Sequence, residues 1–198
     1  MSTQIKTRKL LPTDHALIGD IIADSFSTDP VNLWVFGSSK PLRRYYTLAA
    51  RKLYLKKGFG HVMQDESAGS LWLPPTVPKH IPLWNSVDIA WAMVKADGLS
   101  AIVRGIKIDD FLIRKKPQIP HYHLFSIGAR QACQGKGAGT ALMYAGLSVA
   151  DDNKFPTYLE SSKESNVPYY QRFGFEVIER VEPTKGCPPL WLMWRETR

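Results

Sequence analysis

Between residues 134 and 140 the chain reads Gln-Gly-Lys-Gly-Ala-Gly-Thr, with three glycines in five positions. This run follows a predicted strand and opens a predicted helix whose Leu142, Met143, Leu147 and Ala150 form one apolar stripe. Glycine lets a backbone approach a ligand closely and adopt positive φ, and the N–H groups and dipole of a helix start favour a phosphate. A pyrophosphate cradle is the chemistry that Gly135, Gly137 and Gly139 suit, whereas Gly146, further along the helix, suits close packing on a sheet. Other phosphate motifs fit less well. The Gly-Lys pair lacks the Ser or Thr of a P-loop, and glycines at 135, 137 and 139 miss the Gly-x-Gly-x-x-Gly dinucleotide pattern.

The same residues resemble a known signature. Gln134-x-x-Gly137-x-Gly139 matches the [Gln/Arg]-x-x-Gly-x-[Gly/Ala] acetyl-CoA element of the GNAT acetyltransferases. That family's second element is a strand and short helix supplying an Asn and a Tyr-x-x-x-Gly-Phe. It is matched by Leu159-Glu160-Ser161-Ser162, Asn166 and Tyr170 to Gly174-Phe175. The resemblance covers about residues 121 to 195 strongly and the N-terminal part loosely. Within the superfamily it is similar to puromycin N-acetyltransferase-like proteins, through Gln-Gly-Lys-Gly-x-Gly, Leu-Glu-x-Ser and Asn-x-Pro-[Phe/Tyr]-Tyr-x-Arg-x-Gly-Phe. One departure is that Ala129-Arg130-Gln131 stands where the family usually has Val-x-Pro. Contacts there are mostly main-chain, so binding should tolerate the change while the start of the loop shifts.

The resemblance implies acetyl-CoA as co-substrate, no metal, and direct transfer to the amine of a small-molecule acceptor. The implied cofactor-binding residues are Ile127, Gly128, Ala129, Gln134, Gly135, Lys136, Gly137, Ala138, Gly139, Thr140, Asn166 and Tyr170. Such a transfer needs a neutral amine, donors for the tetrahedral oxyanion and a proton for the departing thiolate. Main-chain N–H groups near Ile127-Gly128-Ala129 answer the second need and Tyr170 the third, with Tyr169 as a core aromatic. For the amine's base the candidates are His123, read as sharing a strand face with Phe125, Ile127 and Ala129 by alternation, and Glu160 on the neighbouring strand. His121 lies nearer the strand edge and is the weaker choice, and a water chain would serve as well as either. Lys136, Lys163 and Arg172 lie close enough in sequence to meet phosphates, though such cations are more often solvated. Cys133 abuts the loop without a His-Asp or His-Asn pair, which argues against an acyl-cysteine.

The elements that must position these residues are mixed. A helix capped by Thr13 carries Ile18, Ile21, Ile22 and Phe26 and stops at Thr28-Asp29-Pro30. A second follows Pro41 and ends near Gly58, and short strands cover 61–64 and 70–73. Prolines 74, 75, 78 and 82 take the chain out of the sheet. Helices at 84–96 and 99–114, broken at Asp97-Gly98, form an insertion that could roof a binding cleft. The chain then runs strand 121–129, helix 137–151, strand 157–161, short helix 168–173, and strands 175–180 and 190–195. The expected fold is therefore α/β (α+β): the GNAT fold, a central mixed, mostly antiparallel twisted sheet flanked by helices, with a helical insertion before the fourth strand. One domain over residues 1–198 is expected.

Composition agrees with a folded, soluble protein. The chain is 44% hydrophobic and 22% charged, which excludes a disordered polyelectrolyte. A formal charge of +8 favours acidic partners, namely nucleic acid, an anionic membrane surface or a phosphorylated small molecule. With no nucleic-acid motif and no run of about 18 apolar residues, the small molecule is preferred over nucleic acid or membrane. Two cysteines are too few for a zinc or disulfide framework, and Leu10-Leu11 is cut short by Pro12, so a cytoplasmic location is expected. The chain should act as a monomer or homodimer. Trp34, Trp84 and Trp91 either line an acceptor pocket or fill the core, with core as the default. The rival reading of the whole chain is a non-catalytic CoA-binding regulatory domain.

Overall fold

The computed structural model describes residues 6–77 and 87–198. Its strands are β1 (Thr7–Lys9), β2 (Phe59–Met63), β3 (Ala68–Leu73), β4 (Tyr122–Ala129), β5 (Thr157–Ser161), β6 (Glu176–Val181) and β7 (Leu190–Arg195). They form one sheet in the order β1-β2-β3-β4-β5-β7-β6. Every neighbouring pair is antiparallel except β4 and β5. That parallel pair requires a long crossover, and the helix α6 (Ala138–Asp152) supplies it. β3 lies inside the sheet and is buried at all six positions, so both of its faces are covered.

Helices cover the two faces. On one lies α6, where Trp72, Leu124, Met143 and Leu147 share a buried cluster. Gly146 lets α6 settle there, because a Cβ at that position would come within 2.3 Å of the Trp72 ring. The other face carries α1 (His15–Ser25), α2 (Pro30–Phe36) and α3 (Leu42–Ala49), whose Ile18, Ile22, Phe36 and Leu42 pack with Leu71 and Leu73. A π-turn over Ala50–Tyr54 leads from α3 into the short α4 (Leu55–Lys57), which stops at Gly58. The insertion is α5 (Val87–Lys115), with non-helical backbone at Asp97 and Gly98 as the sequence predicts. Its Phe111 and Leu112 press on Tyr158, Val181, Leu190 and Leu192, so it covers the sheet face over β5 and β7.

Four sequence expectations change. Residues 7–9 pair with β2 although three residues, two of them basic, carry no strand pattern. The Asp29-Pro30 pair, read as a stop, is also a start: the Asp29 carboxylate accepts the Asn32 N–H at 2.9 Å and Pro30 occupies the first turn of α2. Thr13 does not cap α1. Instead the Asp14 carboxylate takes the Leu11 N–H and the Arg8 guanidinium, each at 2.7 Å. Trp91 is 61% exposed with the Lys95 ammonium over its ring, so it is not in the core, and Trp34 is partly buried with the Arg104 guanidinium over its ring. Trp84 lies outside the described residues.

A fifth difference reaches the site. Leu71 pairs with Ser126 but Trp72 pairs with Leu124, so Phe125 is an extra residue in β4. Before this bulge Leu124 faces α6; after it Ile127 and Ala129 do. Phe125 stacks on Tyr54 at 4.1 Å on the opposite face. Simple alternation therefore fails, and His123, which pairs with Leu73, lies on the face opposite to Ile127 and Ala129.

The last strand is tied to α6 by a bidentate pair: Arg195 Nη1 and Nη2 donate to Asp151 Oδ1 and Oδ2 at 2.7 and 2.8 Å, and Arg195 Nε donates to the Phe173 carbonyl at 2.9 Å. The guanidinium is buried, and its hydrogen bonds hold the Asp151 carboxyl below the usual carboxylate range. A depressed carboxyl stabilises the fold above its unfolded pKa, and that contribution is lost as pH falls through the folded value. Asp151→Ala should cost roughly 2–3 kcal/mol at neutral pH by leaving a buried cation with one partner. Urea unfolding at pH 7 and again at pH 3 checks this; the difference between wild type and variant should shrink at the lower pH.

Candidate functional site

The site begins where β4 and β5 part. Their register runs Tyr122 with Thr157, His123 with Tyr158 and Leu124 with Leu159, and goes no further. β4 continues along β3 to Ala129, and β5 continues along β7 to Ser161. The β4–β5 register therefore ends at Leu124 and Leu159, and the two strands diverge from there.

A cleft of about 470 Å³ opens from this parting. One wall is the end of β4, Ile127, Gly128 and Ala129; another is Gln134, Gly135, Gly137, Gly139 and Thr140. Asn166, Tyr169, Tyr170 and Arg172 close it from α7 (Val167–Gln171) and its flanks, together with Lys163, and Ser25, Phe26 and Asp29 close it from the end of α1. A narrow extension of about 50 Å³ continues between the parted strands, past Phe125 and Ser126 on one side and Glu160 and Ser162 on the other. Phe26, Ile127, Asn166 and Tyr170 line both spaces.

The loop has the geometry an anion needs. Gly137 has φ of +83° and caps α6 without a side-chain hydrogen bond, so the cap itself leaves the first-turn N–H groups to other acceptors. Gly135 has φ of +77°, with no atom within 4 Å of a Cβ position, so conformation rather than crowding calls for glycine. At Gly139 a Cβ would lie 3.1 Å from the Tyr169 hydroxyl. That hydroxyl is buried and has no hydrogen-bond partner among the described residues. These features fit a pyrophosphate with polar groups beside it.

The predicted residues divide accordingly. Ten of them, Ile127, Gly128, Ala129, Gln134, Gly135, Gly137, Gly139, Thr140, Asn166 and Tyr170, meet in the cleft. Lys136 and Ala138 do not line it: the Lys136 ammonium reaches the Ala132 carbonyl at 3.5 Å, and Ala138 packs in a core cluster with Leu142. Tyr169, assigned to the core by sequence, lines the cleft with Arg172 over its ring. Ser25, Phe26 and Asp29 come from a distant helix end with no local motif. Among the described residues, none of α5 lines either space.

His123 and Glu160 form a pair, with His123 Nε2 at 2.8 Å from Glu160 Oε2. The His123 side chain is 1% exposed and that of Glu160 8%. Only Glu160 lines the extension, and His123 stands behind it. When Glu160 is ionised, Nε2 must carry the proton between them. At the other end of the extension, burial and then the nearby Asp29 carboxylate raise the Tyr170 phenol well above its ordinary value. It therefore rests protonated, as a donor rather than a phenolate base. Among the described residues, no group of three His, Cys, Asp or Glu is placed to hold a metal ion.

Comparison with known proteins agrees with this geometry. The model of the Acetyltransferase (GNAT) family matches residues 62–175. An uncharacterised N-acetyltransferase of Schizosaccharomyces pombe is 24% identical over 204 residues, which is 92% of this chain and 80% of that protein. Among solved structures, a histone acetyltransferase HPA2 and related acetyltransferase from Corynebacterium glutamicum superposes with a TM-score of 0.73 at 22% identity, covering 98% and 97% of the two chains. Arylalkylamine N-acetyltransferase 2 of Aedes aegypti does so with 0.67 at 13% identity, covering 99% and 100%.

Gly137→Trp should remove the cradle while leaving the sheet intact. Positive φ at a bulky residue costs about 1–3 kcal/mol, or ~10- to 100-fold in affinity, before the ring's bulk in the cleft is added. Calorimetric titration of coenzyme A into wild type and variant, with circular dichroism to follow the fold, measures the loss.

Proposed function

Since this chain belongs to the GNAT acetyltransferase family and is an acyltransferase, we propose that it is an acetyl-CoA-dependent N-acetyltransferase that acylates the amine of a small molecule by direct attack. The observation that carries the finer reading is Tyr170, on the wall of both the cofactor cleft and the narrow extension, with Glu160 on the extension beyond it. Acceptor and donor would meet at that phenol. An amine acceptor is also suggested by the likeness to an arylalkylamine N-acetyltransferase.

In this reading the first-turn N–H groups of α6 hold the pyrophosphate, and Lys163 and Arg172 add positive charge at the cleft wall. Main-chain groups of β4 from Ile127 to Ala129, where the strand has left β5 and lines the cleft, would align the pantetheine arm and supply donors to the tetrahedral oxyanion. Glu160, oriented by His123, takes a proton from the acceptor ammonium so that the nitrogen lone pair is free to attack the thioester carbon. The C–N bond forms and the C–S bond breaks; Tyr170 passes its proton to the departing thiolate and takes back the second proton, which the attacking nitrogen gives up on becoming an amide. The oxyanion contact does not require a side chain, so loss of Tyr170 should lower turnover more than binding.

Thiol release from acetyl-CoA across a panel of amines tests this. Tyr170→Phe should lower kcat on the order of 100-fold or more, with coenzyme A affinity nearly unchanged. Glu160→Gln should lower kcat comparably with the best acceptor. Because the Tyr170 phenol is raised, the rate should show no alkaline loss from its ionisation below about pH 10. Binding of acetyl-CoA without turnover of any amine would instead support a regulatory CoA-binding domain, and absence of binding would end both readings.

A further inference from the structure

The turn from Phe26 to Asp29, between α1 and α2, crosses the gap where β4 and β5 part, and both of its ends are held by side chains from the two strand exits. On the β4 side, the Gln131 main-chain N–H donates to Asp24 Oδ2 at 2.8 Å, and its side-chain amide donates to the Asp24 carbonyl at 3.3 Å and to the Ser27 hydroxyl. On the β5 side, the Ser162 hydroxyl donates to Asp29 Oδ2. The other oxygen, Asp29 Oδ1, accepts from the Asn32 N–H and side-chain amide, both at 2.9 Å, which starts α2. The carboxylate thus divides its two oxygens between a helix cap and a strand exit, and it is only 2% exposed.

The approach of the turn to β4 is unusually close. A Cβ on Gly128 would sit 2.3 Å from Ser25 Oγ, so glycine allows the end of α1 to rest on the strand. Phe26 then lines both the cleft and the extension, with its ring 5.8 Å from that of Tyr46. Any shift of the turn changes the width of both spaces together. The residue responsible on the β4 side, Gln131, stands in the segment where the chain departs from the common Val-x-Pro.

We propose that Gln131 and Ser162 are positioning residues that pin the Phe26–Asp29 turn across the parted strands, coupling occupation of the cofactor cleft to the width of the passage toward Glu160. This rests on the cleft being the coenzyme A site. The turn forms one wall of that cleft, so cofactor in the cleft leans on it, and the two pins carry the constraint to the extension. Each pin can be cut without cutting its neighbours. Ser162→Ala leaves the Asp29 cap of α2, and Gln131→Ala leaves the main-chain bond to Asp24.

Hydrogen exchange measured by mass spectrometry on the full chain, with coenzyme A as probe, tests the coupling. In wild type, coenzyme A should slow exchange in residues 134–140 and also in 24–32. In the Gln131→Ala, Ser162→Ala double variant the loop should remain protected while the added protection of 24–32 falls roughly tenfold, the scale of a lost hydrogen bond. Ser162→Thr, which keeps the hydroxyl, should restore it. A purely structural role would instead speed exchange of the ligand-free variant and leave the ligand-induced increment unchanged. That result, or a wild-type turn that coenzyme A does not protect, overturns the coupling alone. Failure of coenzyme A to bind or to protect residues 134–140 overturns the cofactor reading, and the coupling with it.

Discussion

A parallel pair of strands that stops pairing halfway is the constraint on which the molecule turns. From Tyr122 to Leu124, β4 is in register with β5; beyond that point β4 runs on along β3 and β5 along β7. Backbone N–H and C=O groups inside a protein are rarely left without partners, since an orphan costs about as much as a lost hydrogen bond. The gap is therefore held open by what surrounds it: β3 and β7 outside, α6 beneath, and the end of α1 across the top. An extended ligand that supplies donors and acceptors along its length can complete the interrupted ladder. Pantetheine, with its two amides, has that chemistry.

Charge is distributed along the gap to match. At the cleft end are a helix start, Lys163 and Arg172, all favourable to phosphates. At the far end is Glu160 backed by His123, favourable to an ammonium group. Between them Tyr170 stays neutral because burial and the Asp29 carboxylate both oppose its ionisation. A neutral donor placed there competes neither with an anion at the cleft end nor with a cation at the far end. The same carboxylate that keeps the phenol protonated also caps α2 and binds Ser162, so local secondary structure and the electrostatics of the site share one residue.

Packing determines which residues reach this gap. The extra residue Phe125 reverses the facing of β4, sending Ile127 and Ala129 toward α6 and leaving Phe125 stacked on Tyr54 from the π-turn. Bulges and π-turns both interrupt a regular ladder, and here each presents an aromatic ring to the other. His123 consequently sits behind Glu160 rather than beside Ile127, which is why it touches the carboxylate but not the passage. The insertion α5 contributes to the same face at one remove, its Phe111 and Leu112 covering Tyr158 and the β5–β7 region.

Much of this was legible in the chain itself. The glycines at 135, 137 and 139 and the helix stripe after them read as a phosphate cradle because glycine spacing and helix starts act within a few residues, and the family resemblance added Asn166 and Tyr170, which line the same cleft. The strands from 121 onward and the break at Asp97-Gly98 were equally local. What sequence could not supply was anything dependent on a distant neighbour. β1 exists only because β2 is beside it, and the start of α2 was hidden because an Asp-Pro pair serves as stop and start alike. The facing of His123 depends on one bulged residue that alternation cannot register. Tyr169 joined the cleft, and Lys136 left it, through side-chain directions set by packing. The bonds from Gln131 to Asp24 and from Ser162 to Asp29 span more than a hundred residues. Short-range chemistry is written in neighbouring residues; the closing of the gap is decided in the folded chain, where hydrogen bonds join atoms that only the sheet brings within 3 Å.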